Sequence, residues 1–306
     1  MSSPIVSLVE FETTDKVMLP GLLYEPITPT KKALIYIHGN GSSSIFYSPS
    51  KQNTLGQLLN EEHISYFPFN NRGAHYIKKL RKNTDPETKI LAGMAYEQIK
   101  ECIYDIDGAI DFLRKRGYTT FYLAGSSTGA NKICVYNYYT SSNPCAGYIL
   151  ISGGDDTGLF YNALGEKKYN EALKKSYNAI KKRNGDTYAP LDYTDGMILT
   201  YTALYDNLNP DGNYNIFPYY EYFNNLHLSK KKLFREFSSI TLPTLVIYGE
   251  SDEYCYGKIP EIVTVLSEHT SDPAKFTFAI IPEANHGLDG KESELNTAII
   301  HWIKSN

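Results

Sequence analysis

A serine hydroxyl becomes a nucleophile when a base takes its proton and the backbone holds it clear of its neighbours. Ser127 stands in Gly125-Ser126-Ser127-Thr128-Gly129, the G-x-S-x-G spacing, between an apolar run (Thr119 to Ala124) and a helical pattern of Ile133, Val135, Tyr136 and Tyr139. Strand, sharp turn and helix in that order present the middle serine at a strand end, and so tight a turn needs small residues two before and two after it. Ser126 is expected to face away. With Gly near 7% of residues and Ser similar, the pentapeptide arises by chance in about one chain in ten of this length. A loop serine capping the next helix is the plainer alternative. The remaining chemistry must therefore come from elsewhere. His38-Gly39-Asn40-Gly41-Ser42-Ser43-Ser44 follows a second apolar run. Small residues there leave backbone N–H groups free to face a ligand, with the Asn40 N–H as an oxyanion donor; an ordinary glycine turn is the other reading. Asp252 and His286 follow two further strand-like runs, Leu242 to Gly249 and Phe276 to Pro282.

These groups are useful only if the elements between them bring them together. Residues 4–11 alternate, and Val17 to Tyr24 resume the pattern after Thr13-Thr14-Asp15-Lys16, as in an antiparallel pair. Ala33 to Ile37 is continuously apolar, the mark of a central strand covered on both faces. Ile64 to Asn70 is the next strand, and Ala95 to Arg116 carries an apolar helical stripe stopped by Gly117. Ala146 to Ser152 is another buried strand, ending in Gly153-Gly154-Asp155-Asp156. From Asp155 to Ile240 no central strand is expected, and 11 of the 27 tyrosines fall there. Gly165 to Gly185 brackets a helix with Tyr169, Leu173, Tyr177 and Ile180 on one face. Lysine pairs at 167–168, 174–175 and 181–182 recur every seven residues on the opposite face, the pattern of a solvated surface. A helix over Pro260 to His269 and a final one carrying Leu295, Ile299, Trp302 and Ile303 complete the alternation. Such alternation implies a mainly parallel central sheet with helices on both faces, whose sites form at the carboxyl ends of the strands.

Ser127, Asp252 and His286 fall there in nucleophile–acid–histidine order, and on that order the chain resembles the α/β-hydrolase family over nearly its whole length. His38-Gly39-Asn40-Gly41 resembles the family's oxyanion loop, and Asn70-Asn71-Arg72-Gly73 its (D/N)-x-R-G turn. Gly125 to Gly129 resembles the nucleophile turn, Tyr248-Gly249-Glu250-Ser251-Asp252 the acid turn, and Asn285-His286-Gly287 the histidine loop. Asn71 to His75 departs where many members carry a second glycine, which bears on local loop shape. Phe69 to Gly73 with Ser126 to Gly129 is similar to the fungal siderophore-ester hydrolases, and no substrate is taken from that likeness. The resemblance implies an α/β-hydrolase fold with a core over 1–154 and 241–306 and a helical, tyrosine-rich lid over 155–240. It implies His286 as general base, Asp252 fixing its tautomer, and the Asn40 and Thr128 N–H groups as oxyanion donors. Glu250, Asp155 and Asp156 are the alternatives to Asp252. His38 is expected to be structural, and the other five histidines to be surface or helix residues.

The bulk numbers bound the rest. At 306 residues, 42% hydrophobic and 21% charged, the chain reads as a globular protein of one large domain or a domain with an insertion. A net charge of -4 argues against nucleic acid as a partner. Cys102, Cys134, Cys145 and Cys255 show no metal-ligand spacing and read as buried thiols. Neither a leader pattern nor an apolar run of spanning length is present, so a cytoplasmic location with no membrane span is expected. The expectation is a serine hydrolase acting on a small-molecule carboxylic ester without metal or organic cofactor. Acyl transfer, thioester or amide cleavage by the same groups, or a non-catalytic binding protein on this fold, are the alternatives. Lid tyrosines such as Tyr161 or Tyr201 are expected to select the substrate.

Overall fold

The computed structural model describes residues 5–45 and 49–306. Among the described residues there are ten strands and nine α-helices: β1 (Ile5–Glu12), β2 (Met18–Glu25), β3 (Lys32–Ile37), α1 (Pro49–Glu61), β4 (Ser65–Phe69), β5 (Lys78–Lys82), β6 (Thr88–Ala92), α2 (Cys102–Lys115), β7 (Thr120–Ser126), α3 (Thr128–Tyr139), β8 (Cys145–Ile151), α4 (Asp156–Lys181), α5 (Tyr201–Leu208), α6 (Tyr219–Phe223), α7 (Arg235–Ser238), β9 (Thr244–Gly249), α8 (Ile259–Glu268), β10 (Phe276–Ile281) and α9 (Glu292–Ser305). Eight strands form one sheet in the order β1-β2-β4-β3-β7-β8-β9-β10, parallel from β4 to β10, with β1–β2 and β2–β4 antiparallel. Pro4, where the first alternating run begins, lies outside the described residues.

The continuous apolar runs have a simple cause. Successive strand residues point to opposite faces, and here both faces are covered. Ala33, Ile35 and Ile37 of β3, Phe121 and Leu123 of β7, and Val246 and Tyr248 of β9 face a core shared with α2, α3 and α8. Leu34, Tyr122, Ile149, Leu245 and Ile247 face the other core, against α1 and α9. The chain runs from β3 outward to β4 and then returns to β7 on the far side of β3. That reversal leaves a crevice at the carboxyl ends of β3 and β7, the topological switch point where open α/β sheets bind ligands.

Local differences from the sequence pattern have identifiable reasons. Ala95 to Arg116 is not one helix: two single turns precede α2, because Glu97 and Gln98 are extended and Asp206 takes the Ile99 N–H at 2.8 Å. α4 begins nine residues before Gly165, since Asp155 caps it by accepting the Gly158 N–H at 2.8 Å, and it kinks at Gly165 (φ 71°). Its buried face is Tyr169, Ala172 and Ser176, while Tyr177 is exposed. The lysine pairs lie along the outside of α4, where Lys168 and Lys175 reach Asp192 and Glu171. Between β8 and β9 no strand joins the main sheet, and Phe160, Tyr169, Tyr193, Leu199, Leu204 and Leu208 form a small core of their own with Met94. All four cysteines are buried free thiols. No described helix is long and apolar enough to cross a membrane.

Candidate active site

Ser127 sits between β7 and α3 with φ 54° and ψ -131°, a conformation a side-chain-bearing residue adopts only when its surroundings impose it. The neighbours explain both glycines. A Cβ on Gly125 would lie 2.4 Å from the Gly129 carbonyl oxygen, and one on Gly129 would lie 2.2 Å from the Ile37 carbonyl oxygen. Strand end and helix start pack backbone to backbone, so the serine between them is pushed outward. Its N–H is held by the Ile151 carbonyl at 2.8 Å.

The loop after β3 lies directly against this turn: a Cβ on Gly39 would come within 2.9 Å of the Ser127 Cβ. Asn40 follows in the chain, and its buried Oδ1 has no partner among the described residues. Thr128 opens α3, where first-turn N–H groups have no intrahelical acceptor. Asn70 holds the loop in place, its Oδ1 accepting from the Ser43 hydroxyl and from the Ser44 and Ile45 N–H groups at 3.0, 2.8 and 3.1 Å. Arg72 anchors that turn in turn through Asp15 and Asp105, both at 2.8 Å. His75 takes φ 63°, a left-handed conformation that a glycine would adopt without strain.

Asp252 and His286 meet on the next strand ends. Both Asp252 carboxylate oxygens lie 2.9–3.0 Å from His286 Nδ1, and the Tyr254 N–H donates to Oδ1 at 3.0 Å. The Asp252 side chain is fully buried while the imidazole is 17% exposed, so one end of the ring is locked and the other is open. Neighbouring bonds fix the loop: the His286 N–H donates to Glu253, the Ser152 hydroxyl donates to the His286 carbonyl, and the Ser251 N–H donates to the Ala284 carbonyl. The other acids are engaged elsewhere. Glu250 accepts the Glu283 N–H, Asp155 accepts the Gly158 and Tyr220 N–H groups, and Asp156 accepts from Asn131 and Thr128. Burial pushes both Asp155 and Asp156 up to about 7. His38 is buried with both ring nitrogens used, Nδ1 against the Gly39 carbonyl and Nε2 accepting the Asn71 N–H. Burial, reinforced by the Lys132 ammonium, holds its pKa well below the imidazole range.

Ser127 and His286 line one cavity of about 140 Å³ at the α1–α9 side of the sheet. Ser126 is on that wall rather than turned away from it, with its hydroxyl 2.8 Å from that of Tyr36. The described lining comes from the core alone, with nothing from 155–240. Tyr161 packs instead on Tyr169 and Tyr220, and Tyr201 on the small core of the 155–240 segment.

Three groups near the site are not apparent from the sequence pattern. Lys132, one turn into α3, is fully buried and pairs with Glu97 at 2.5 Å. Asn131 ties α3 to the loop after β8 through Gly154 and Asp156, both at 2.8 Å. Ser152 props the histidine loop. A lysine directly before the apolar run Ile133-Cys134-Val135 in a helix is a signal that some carboxylate must meet it; which carboxylate is a tertiary fact. Among the described residues no cluster of histidine, cysteine or carboxylate groups is arranged to hold a metal ion.

Residues 91–305 match the family described as "Protein of unknown function (DUF1749)". No curated protein matches by sequence. Solved structures match over nearly the whole chain. Est1E from Butyrivibrio proteoclasticus with ferulic acid bound is 15% identical with a TM-score of 0.64, over 96% of this chain and 98% of that one. The α/β hydrolase GrgF from Penicillium sp. sh18 is 16% identical with a TM-score of 0.63, over 98% of each. Mouse α/β hydrolase domain-containing protein 10 is 14% identical with a TM-score of 0.60, over 98% of this chain and 99% of that one. With the sheet order above, these likenesses establish the α/β-hydrolase fold.

Proposed function

The chain belongs to the DUF1749 family, and we propose that it is a serine hydrolase that cleaves small-molecule carboxylic esters through an acyl-enzyme. The observation that carries this reading is the fully buried Asp252 carboxylate bonded to His286 Nδ1, with the imidazole opening onto the cavity that Ser127 also lines. In this reading Asp252 keeps the proton on Nδ1, so that Nε2 is the free base. Nε2 takes the Ser127 proton as Oγ forms its bond to the ester carbonyl carbon. The carbonyl electrons move onto oxygen, where the Asn40 and Thr128 N–H groups receive them, each contributing about 3 kcal/mol. Collapse breaks the carbon–alkoxy bond, and His286 passes its proton to the departing alcohol. Water then attacks the acyl-enzyme by the same route and releases the acid. The segment 155–240, with its own small core, serves as a lid over the core formed by 1–154 and 241–306. The likeness to proteins named esterase or hydrolase is consistent with this assignment.

The test is release of p-nitrophenol from p-nitrophenyl acetate by the parent and by Ser127→Ala. The parent turns over and the variant falls to the background rate while keeping its far-UV circular dichroism. Equal rates in the two would remove Ser127 from the chemistry.

A further inference from the structure

The cavity beside Ser127 has a shape and chemistry that go beyond a generic ester site. It lies between α1, α9 and the ends of β3, β4, β7 and β8, and its inner wall is the core of that face, with Leu55, Ile151, Leu288 and Ile299 buried there. Most of its polar wall groups away from Ser127 and His286 are already partnered, Asn296 being the exception. The Tyr36 and Ser126 hydroxyls bond each other at 2.8 Å, and the Tyr66 hydroxyl donates to Gln52. Lys51 spends its charge on Asp289 at 2.5 Å, Glu292 at 3.3 Å and the Gly287 carbonyl at 3.2 Å. A polar or anionic occupant would have to displace these bonds, whereas an apolar one would displace only water.

We propose that this cavity holds the acyl chain of the substrate and limits it to a compact apolar group of about six carbons. The size follows from the volume: about 140 Å³ is close to that of an apolar cavity that accepts benzene. The acyl side is chosen over the alcohol side because the acyl group stays bonded to Ser127 after the alcohol has left. An alcohol lodged against the inner wall would be trapped behind the acyl-enzyme, while an acyl chain there leaves the open side of Ser127 to the leaving group and to water. Acyl size is thus set by α1 and α9 and not by the tyrosines of 155–240. The inference rests on the serine hydrolase reading.

The experiment is kcat/KM for p-nitrophenyl esters from acetate to decanoate in the parent, Leu295→Phe and Leu55→Ala. Leu295 is half-buried on α9 and Leu55 is buried on α1, and both line the cavity. In the parent the value should rise to hexanoate and fall at least tenfold by decanoate. Leu295→Phe should lower the hexanoate-to-acetate ratio about tenfold, the scale of a pocket contact. Leu55→Ala should raise the decanoate-to-hexanoate ratio by about the same factor. A crystal structure of the parent with hexylboronic acid should show the alkyl chain between α1 and α9. If the parent cleaves the esters but both variants scale every chain length equally, or the alkyl chain points toward 155–240, the acyl assignment is refuted alone. If the parent cleaves none of them, the hydrolase reading falls and takes this inference with it.

Discussion

Replacing Lys132 by methionine removes one half of an ion pair closed off from solvent. The Lys132 side chain is fully buried, Glu97 is 3% exposed, and their charged atoms lie 2.5 Å apart. Removing one partner from such a pair costs about 3–5 kcal/mol, because the other charge stays behind undischarged. Two neighbours place this case at the lower end. The Tyr214 hydroxyl still donates to Glu97 at 3.4 Å, and the Lys78 ammonium still attracts it. For 306 residues the unfolding entropy is about 0.64 kcal/mol/K, so a loss of about 3 kcal/mol lowers Tm by about 5 °C. Adding Glu97→Gln keeps the shape and removes the stranded charge, and should recover more than half of that loss. The assay is thermal unfolding by calorimetry of the parent, both single variants and the double, in one buffer at one pH. A Lys132→Met protein that melts within about 1 °C of the parent, or a double variant no better than the worse single, would refute the reasoning.

Other outcomes follow from the same geometry. Asp252→Asn should lower kcat on p-nitrophenyl acetate by about 10⁴-fold, because the amide favours the wrong imidazole tautomer; a loss under tenfold in initial rates would exclude Asp252 as the orienting acid. Gly39→Ala should cut kcat/KM at least tenfold, since its Cβ would lie 2.9 Å from the Ser127 Cβ, and a far-UV spectrum like the parent's would locate the damage in the site. Burial pushes Asp206 up to about 7, above its unfolded value near 3.9, so the stability it contributes is complete below about pH 4 and lost as pH rises through 7. Asp206→Asn should therefore lose less stability than the parent between pH 5 and 8, as read from urea midpoints. Exhaustive dialysis against chelator should leave the ester hydrolysis rate unchanged, and a loss restored by added metal would contradict the proposed chemistry.

The parallel strands were legible because burial on both faces writes an uninterrupted apolar run, as in Ala33 to Ile37 and Leu245 to Tyr248. The turn at Ser127 was legible because backbone contact admits only glycine at 125 and 129. Where local pattern competes with tertiary contacts, the sequence says less. α1 buries Gln52, Gly56 and Asn60 beside Leu55 and Leu59, so its buried face shows no clear apolar stripe. The β5–β6 hairpin reads Lys78-Lys79-Leu80-Arg81-Lys82 on one strand, with only Leu80 buried. The helix expected from Ala95 is interrupted because Asp206, more than a hundred residues away, takes the Ile99 N–H. The same limit applies to the site. Spacing identified Ser127, Asp252 and His286 as candidates, but the partnered wall of the cavity and the Lys132–Glu97 pair exist only in three dimensions. The tyrosine-rich composition of 155–240 pointed to a pocket there, whereas the described cavity at Ser127 is lined by the core.

In the proposed chemistry one hydroxyl, that of Ser127, is the activated nucleophile. A fluorophosphonate reports this directly, because it adds only to a serine whose proton a neighbouring base can take. The labelled protein is digested and the modified peptide mapped by tandem mass spectrometry. Stoichiometric labelling is expected at Ser127, abolished in Ser127→Ala and strongly slowed in a variant with His286 replaced by alanine. Labelling at Ser126, or no labelling of the folded parent at all, would contradict it.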